Sequence, residues 1–174
     1  FFLTMPGIPF IYYGDEIGMK YIKDIPSKEG GYHRTGARTP MQWDTSAGAG
    51  FTTGEPWIKV NPNYQQINAA DQLKDPDSVF HYYQKLIRLR KEKPVIVYGT
   101  FEALYRDHDQ IFAYTRTLEG EKLLTVCNFS EHVAEMEIPE EFQKNAKCLI
   151  TNLGREDFGE KVALKPYEAF VLYK

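Results

Sequence analysis

Two cysteines in 174 residues are too few for a disulfide framework, and the spacing of Cys127 and Cys148 matches no metal motif. Both lie in apolar, strand-like surroundings, so free buried thiols and a cytoplasmic location are expected. No run of about twenty apolar residues occurs, which leaves no candidate for a transmembrane helix. An excess of one charge is also missing: 21 basic and 24 acidic residues are interspersed, for a net charge of −3. A nucleic-acid partner would call for a basic face, so neither nucleic acid nor an anionic membrane surface is an expected partner. His33, His81, His108 and His132 are scattered, with no two at metal-ligand spacing, and no metal or other cofactor is expected. Asn128-Phe129-Ser130 matches a glycosylation sequon, but inside an apolar strand it reads as a chance match. The opening residues, Phe1 to Gly7, have no basic n-region and no cleavage-site pattern, so they are not a signal peptide. They read as the last turn of a helix closed by Pro6-Gly7, as expected of the C-terminal part of a longer protein.

What is present suits a packed core: 43% hydrophobic and 14% aromatic residues, enough for one or two domains. Ile8 to Tyr13 is a continuous apolar run bounded by glycines, the pattern of a parallel strand buried on both faces. From Asp15 to about Lys74 periodicity is weak, while Gly, Pro, Asn and aromatics are frequent. So long a loop inside a domain is expected to be functional. Asp75 then fits an N-cap and Pro76 the first helical position, and Val79, Tyr82, Tyr83, Leu86 and Ile87 form a stripe at helical spacing. Lys85, Arg88, Arg90, Lys91 and Lys93 fall on the other face and the last turn, and Pro94 stops the helix.

Beyond Pro94 the period changes to two. Segments 101–105, 111–117, 122–129, 133–138, 147–151 and 167–173 read as short strands separated by turn residues such as Glu119-Gly120 and Asn152-Leu153-Gly154. Hairpins without crossover helices imply an antiparallel β-sandwich. The expected fold is therefore α+β. Residues 1–93 form the last strand, long loop and helix of a (β/α)8 barrel, and residues 94–174 form a separate C-terminal β-sandwich domain.

The most informative stretch is Gly36-Ala37-Arg38-Thr39-Pro40-Met41-Gln42-Trp43-Asp44. It places an obligate cation on a proline-stiffened loop beside an indole. A guanidinium fork suits carboxylates or vicinal hydroxyls, and an aromatic face suits a sugar's C–H surface. Upstream runs Gly7-Ile8-Pro9-Phe10-Ile11-Tyr12-Tyr13-Gly14-Asp15-Glu16-Ile17-Gly18-Met19. Downstream come Gly50-Phe51-Thr52-Thr53-Gly54, Pro56-Trp57 and Asn61-Pro62-Asn63-Tyr64. In this order the blocks resemble the α-glucosidase branch of the α-amylase superfamily (glycoside hydrolase family 13), especially oligo-1,6-glucosidases and dextran glucosidases.

The resemblance implies a retaining α-glucosidase acting on short α-glucans, with an α-linked oligosaccharide or glucose as its partner. It places the catalytic carboxylates on earlier barrel strands, so no catalytic residue is expected in this chain and the chain alone should be inactive. Arg38 matches the family arginine that grips hydroxyls of the terminal glucose. Tyr13, Glu16 and Trp43 are further substrate-contact candidates, with Glu16 expected mainly to make a structural hydrogen bond and Trp43 and Trp57 mainly to pack. Asp15 and Glu16 are adjacent and leave the strand to opposite sides, which makes them a poor catalytic pair. Family members of this kind commonly carry a longer insertion before the Arg-Thr-Pro-Met-Gln-Trp block. Here only Lys20 to Ala37 intervenes, including the basic-aromatic string Gly30 to Thr35, so linkage preference stays open. Rival readings are a trehalose synthase or sucrose isomerase, which transfers or isomerises, and a non-catalytic carbohydrate-binding or transporter heavy-chain module. The apolar strand near the start is expected either to self-associate or to pack on the sandwich.

Overall fold

The computed structural model describes residues 1–28 and 34–174. Four members of the expected basic-aromatic string, Gly30 to His33, lie outside the described residues. The chain folds as two compact units, Phe1–Pro9 with Lys85–Lys174, and Phe10–Gln84. Among the described residues no helix is long and apolar enough to cross a membrane.

In the first unit five strands form one antiparallel sheet. They are β1 (Thr100–Leu104), β2 (Ile111–Leu118), β3 (Glu121–Asn128), β5 (Lys147–Thr151) and β7 (Ala169–Tyr173), in the order β1-β2-β3-β7-β5. A second antiparallel pair joins β4 (Ala134–Glu137) to β6 (Lys161–Leu164). The β2–β3 hairpin turns on Glu119 and Gly120, both with positive φ (49° and 92°), as a two-residue turn matched to strand twist requires. One face of the large sheet presents Ile111, Ala113, Leu124 and Val126. They pack with Met136, Val162 and Leu164 from the small sheet and with Phe142 from α4 (Glu140–Gln143). That is the expected sandwich.

The other face of the large sheet is buried too. Thr125 Oγ1 donates to Thr4 Oγ1 at 3.2 Å, and the Tyr114 hydroxyl donates to the Phe1 carbonyl at 2.9 Å. The Phe1 ring meets Phe112 and Phe129 edge-on, with centroids 5.4 and 5.3 Å apart. Arg90 donates to the carbonyls of Leu3 (3.0 Å), Met5 (2.9 Å) and Gly7. A single guanidinium thereby satisfies the chain segment that would otherwise leave three acceptors unpaired. Residues 1–7 thus pack on the sandwich, but the apolar run expected to pack there or to self-associate begins at Ile8, which is exposed. The β1 strand ends at Tyr105, held at φ 52°, whose hydroxyl donates to Glu137 O and accepts from Glu137 N, each at 2.9 Å. Arg155 and Glu168 form a bidentate pair, Nε–Oε1 2.6 Å and Nη2–Oε2 2.9 Å, with the Glu168 side chain almost wholly buried.

Several expectations need correcting. Ile8 to Tyr13 joins no ladder and runs into a turn at Tyr13, and Ile8 and Phe10 are 83% and 88% exposed. A doubly buried parallel strand needs neighbours on both sides and helices on both faces, and no described segment of this chain supplies them. The long helix α2 is Val79–Glu92, not 75 onward. Asp75 caps a preceding turn instead, accepting from Asp77 N (2.9 Å), and Ser78 Oγ accepts from His81 N (3.3 Å) at the true helix start. Pro94 ends α2 but also opens a short helix, α3 (Pro94–Tyr98), because proline is well placed at a first helical position. Strand β6 escapes a reading by period because the apolar Ala163 between Val162 and Leu164 hides its alternation, and helix α4 because it is a single turn of four residues. Both thiols are unpaired, but only Cys127 is buried; Cys148 is exposed. Asn128, within the sequon, is buried and its amide donates to His132 O (2.8 Å) and Lys165 O (3.0 Å).

Candidate functional site

The unit Phe10–Gln84 is held less by ladders than by short helices, turns and buried amides. Gln42, fully buried, donates from Nε2 to Asn63 Oδ1 (3.0 Å) and Ile67 O (2.6 Å). Asn61 donates to Lys20 O (2.9 Å) and accepts from Asn63 N (3.2 Å). Asn68 caps α1 (Ala69–Gln72) by accepting from Asp71 N (2.9 Å) and donates to Tyr64 O (3.1 Å). Each amide satisfies backbone groups that have no sheet partner, which is how an irregular segment can be buried, although the Gln42 Oε1 itself is left without a partner. These three side chains were not singled out from the sequence, although Asn61-Pro62 and the residue before α1 are recognisable cap positions.

This framework aims the candidate residues. Arg38 follows a 3-10 turn over Thr35–Ala37, its own N–H bonding back to Thr35 O (3.0 Å). Gly36 must be glycine there, because a Cβ would lie 2.0 Å from the Ile22 carbonyl oxygen. Thr39 is buried, and its carbonyl accepts from the Tyr13 hydroxyl at 2.9 Å, tying Tyr13 to the Arg38 loop. Burial raises the Tyr13 phenol, Tyr12 adds to the rise, and Arg38 opposes it. Trp43 is pinned through its backbone, its N–H to Ala49 O and its carbonyl to Ala70 N, both 2.9 Å, while its indole stays half exposed.

Tyr13, Glu16, Arg38 and Trp43, the four candidates, line one cavity of about 510 Å³ together with Pro40, Met41, Phe51, Trp57 and Ile58. That volume falls in the ~300–1,000 Å³ range of small-molecule sites. The lining is mainly apolar, with few polar groups to fix orientation. Glu16 is the carboxylate in it, and its Oε2 accepts from Gly14 N at 2.8 Å, the structural hydrogen bond expected of it. Asp15 likewise turns back on its own loop, accepting from Tyr12 N at 3.0 Å. Two carboxyl groups facing one bond, as glycoside hydrolysis needs, are therefore not assembled from Asp15 and Glu16. Among the described residues no three His, Cys, Asp or Glu side chains are grouped to hold a metal ion.

Comparison with known proteins gives this cavity a context. Residues 1–99 match the model of the α-amylase catalytic domain, and residues 101–171 match that of the maltogenic amylase C-terminal domain. The chain belongs to the α-amylase family. Among its relatives in that family, the oligo-1,6-glucosidase of Parageobacillus thermoglucosidasius is 42% identical over 98% of this chain and 36% of its own length. The oligo-1,6-glucosidase of Halalkalibacterium halodurans is 41% identical over 96% of this chain and 35% of its own length. The chain thus spans about a third of the length of the curated relatives it matches. The aligned stretch with the latter runs to 197 positions against 174 residues here, so that α-amylase relative carries residues this chain lacks. The trehalose-6-phosphate hydrolase of Bacillus licheniformis superposes with a TM-score of 0.89, at 34% identity over 98% of this chain and 36% of that one.

Proposed function

We propose that this chain is the C-terminal portion of a retaining α-glucosidase acting on short α-glucans, and that it supplies one wall of the sugar pocket without supplying the reacting carboxylates. The observation that carries this reading is the single cavity shared by Tyr13, Glu16, Arg38 and Trp43. In it a guanidinium fork stands among aromatic and apolar surfaces, a set suited to hydroxyls on one side of a sugar and C–H bonds on the other. Arg38 grips the terminal glucose, and Tyr13, tethered to Thr39, supports that loop. The oligo-1,6-glucosidase relatives support the substrate class.

The test compares two proteins. The protein joining this chain to the rest of the α-amylase catalytic domain should hydrolyse isomaltose, and the 174-residue chain alone should not. Turnover that tracks the purified chain alone would overturn the division of labour. A second reading, transfer rather than hydrolysis, draws support from an isomaltulose synthase of Erwinia rhapontici, 35% identical with a TM-score of 0.88 over 98% of this chain and 36% of that one. Sucrose incubation separates the two: glucose plus fructose favours hydrolysis, an isomeric disaccharide favours transfer.

A further inference from the structure

Trp57 stands between two cavities. It lines the 510 Å³ cavity with Arg38 and Phe51, and it also lines a neighbouring cavity of about 380 Å³ with Lys28 and Glu55. The Lys28 ammonium sits 5.0 Å from the centre of the Trp57 ring. Lys28 lines the second cavity and not the first, so the ammonium meets an indole that borders both. Pro56 before Trp57 and buried Ile58 after it pin the backbone, while the indole itself is 73% exposed. The ring thus has a cation seated against it and most of its surface open.

We propose that Trp57 is a stacking platform for the sugar ring next to the one gripped by Arg38, with Lys28 as the positioning residue against it. This rests on the α-glucosidase reading above. The wall formed by Pro40, Met41 and Phe51 offers no side-chain hydrogen bonds, so a second ring there must be recognised by its face. Pyranose C–H faces are weakly electropositive and complement an indole face. A cation already seated against the ring restricts its rotation before substrate arrives, so less ordering entropy is lost on binding.

The experiment uses the enzyme carrying the full catalytic domain and two substrates, isomaltose and α-glucosyl fluoride. The fluoride has the gripped glucose but no second ring. Trp57→Ala should lower kcat/KM for isomaltose about threefold to tenfold and leave the fluoride within about twofold. Trp57→Phe should keep most of the isomaltose activity. Lys28→Met should raise the isomaltose KM with kcat unchanged, and Lys28→Arg should restore it. Equal losses on both substrates, or none on isomaltose, would overturn the stacking role while leaving the α-glucosidase reading intact. A Lys28→Met enzyme indistinguishable from the parent would overturn the positioning role. A parent enzyme inactive on both substrates would remove the α-glucosidase reading and this inference with it.

Discussion

The hydroxyls of Thr4 and Tyr114 lie 2.6 Å apart although 110 residues separate them in the chain. Both also reach the Phe1 carbonyl, at 2.8 and 2.9 Å. The opening residues are therefore fastened to the second strand of the sheet by a buried polar cluster rather than by a ladder. Burial pushes the Tyr114 phenol up to about 12, against hydrogen bonds from Thr125 and Thr4 that act the other way.

A raised phenol pKa stabilises the fold fully below the unfolded value of 10.0, and that stability is lost as pH rises toward about 12. Urea midpoints should therefore fall between about pH 10 and about pH 12. Tyr114→Phe should reduce that slope and cost ~1–2 kcal/mol at neutral pH through the lost hydrogen bonds. Because Tyr13, Tyr83 and Tyr173 are also raised, some slope will remain. An unchanged slope in the variant would contradict the assignment to Tyr114.

Limited trypsin digestion should cut first at Lys20, Lys23 or Lys28, all exposed and outside any strand or helix. The sandwich, whose strands are hairpin-paired and whose core is self-contained, should survive. Because Arg90 and Tyr114 hold residues 1–7, the released N-terminal peptide should co-elute with the sandwich on native gel filtration and separate from it in urea. A peptide lost immediately after nicking would show that this packing is weak.

Glu168 offers a stability test of a different kind. Burial alone would raise its carboxyl, but hydrogen bonds from Arg155 and Lys165 N outweigh that and hold it below the usual range. Its contribution is therefore present above the unfolded pKa and lost as pH falls through the folded one. Glu168→Ala should destabilise by ~3 kcal/mol by stranding Arg155, and Arg155→Met with Glu168→Leu should recover most of the loss. Chemical denaturation of the two variants decides it; a double variant no better than the single would mean the carbonyl bond from Arg155 to Ala163 matters more.

On the α-glucosidase reading proposed above, Arg38→Ala in the full-length protein should lower kcat/KM by roughly 10- to 150-fold, the equivalent of ~1.5–3 kcal/mol for a hydrogen bond from a charged group. Arg38→Lys should rescue little, since a point charge lacks the fork. A glucoside missing the gripped hydroxyl should respond less to the substitution. If the variant loses thermal stability and treats all substrates alike, Arg38 only braces its loop.

The sandwich was legible in the sequence because period-two alternation in Ile111 to Asn128 and Ala134 to Glu137 is a local property of the chain. Arg38 and Trp43 were legible as a block less because a guanidinium and an indole share a loop, which is a common pairing, than because of the ordered blocks on either side of them. Other features were not. Whether Ile8 to Tyr13 forms a ladder depends on partners, which no apolar run can announce. The start of α2 was misplaced by three residues or more because Asp75, Pro76 and Ser78 are all good cap or first-turn residues, and only the turn closed by Ser78 N on Asp75 O chooses among them. The burial of Gln42, Asn61 and Asn68 was invisible, because a polar side chain that replaces a missing backbone partner looks like any loop amide. The alignment of Trp57 with Lys28 spans 29 positions of irregular chain, beyond the reach of any periodicity.

The two bonds between the Tyr105 hydroxyl and Glu137 have a bearing on behaviour in concentrated solution. The Glu137 N–H and C=O point away from β6, along the outer border of the small sheet, where another polypeptide could add itself as a strand. A phenol occupying both groups makes that border a poor template at this point. Tyr105→Phe would unmask a donor and an acceptor together, so the cost of the change would surface as intermolecular pairing and loss of solubility as much as in the unfolding midpoint.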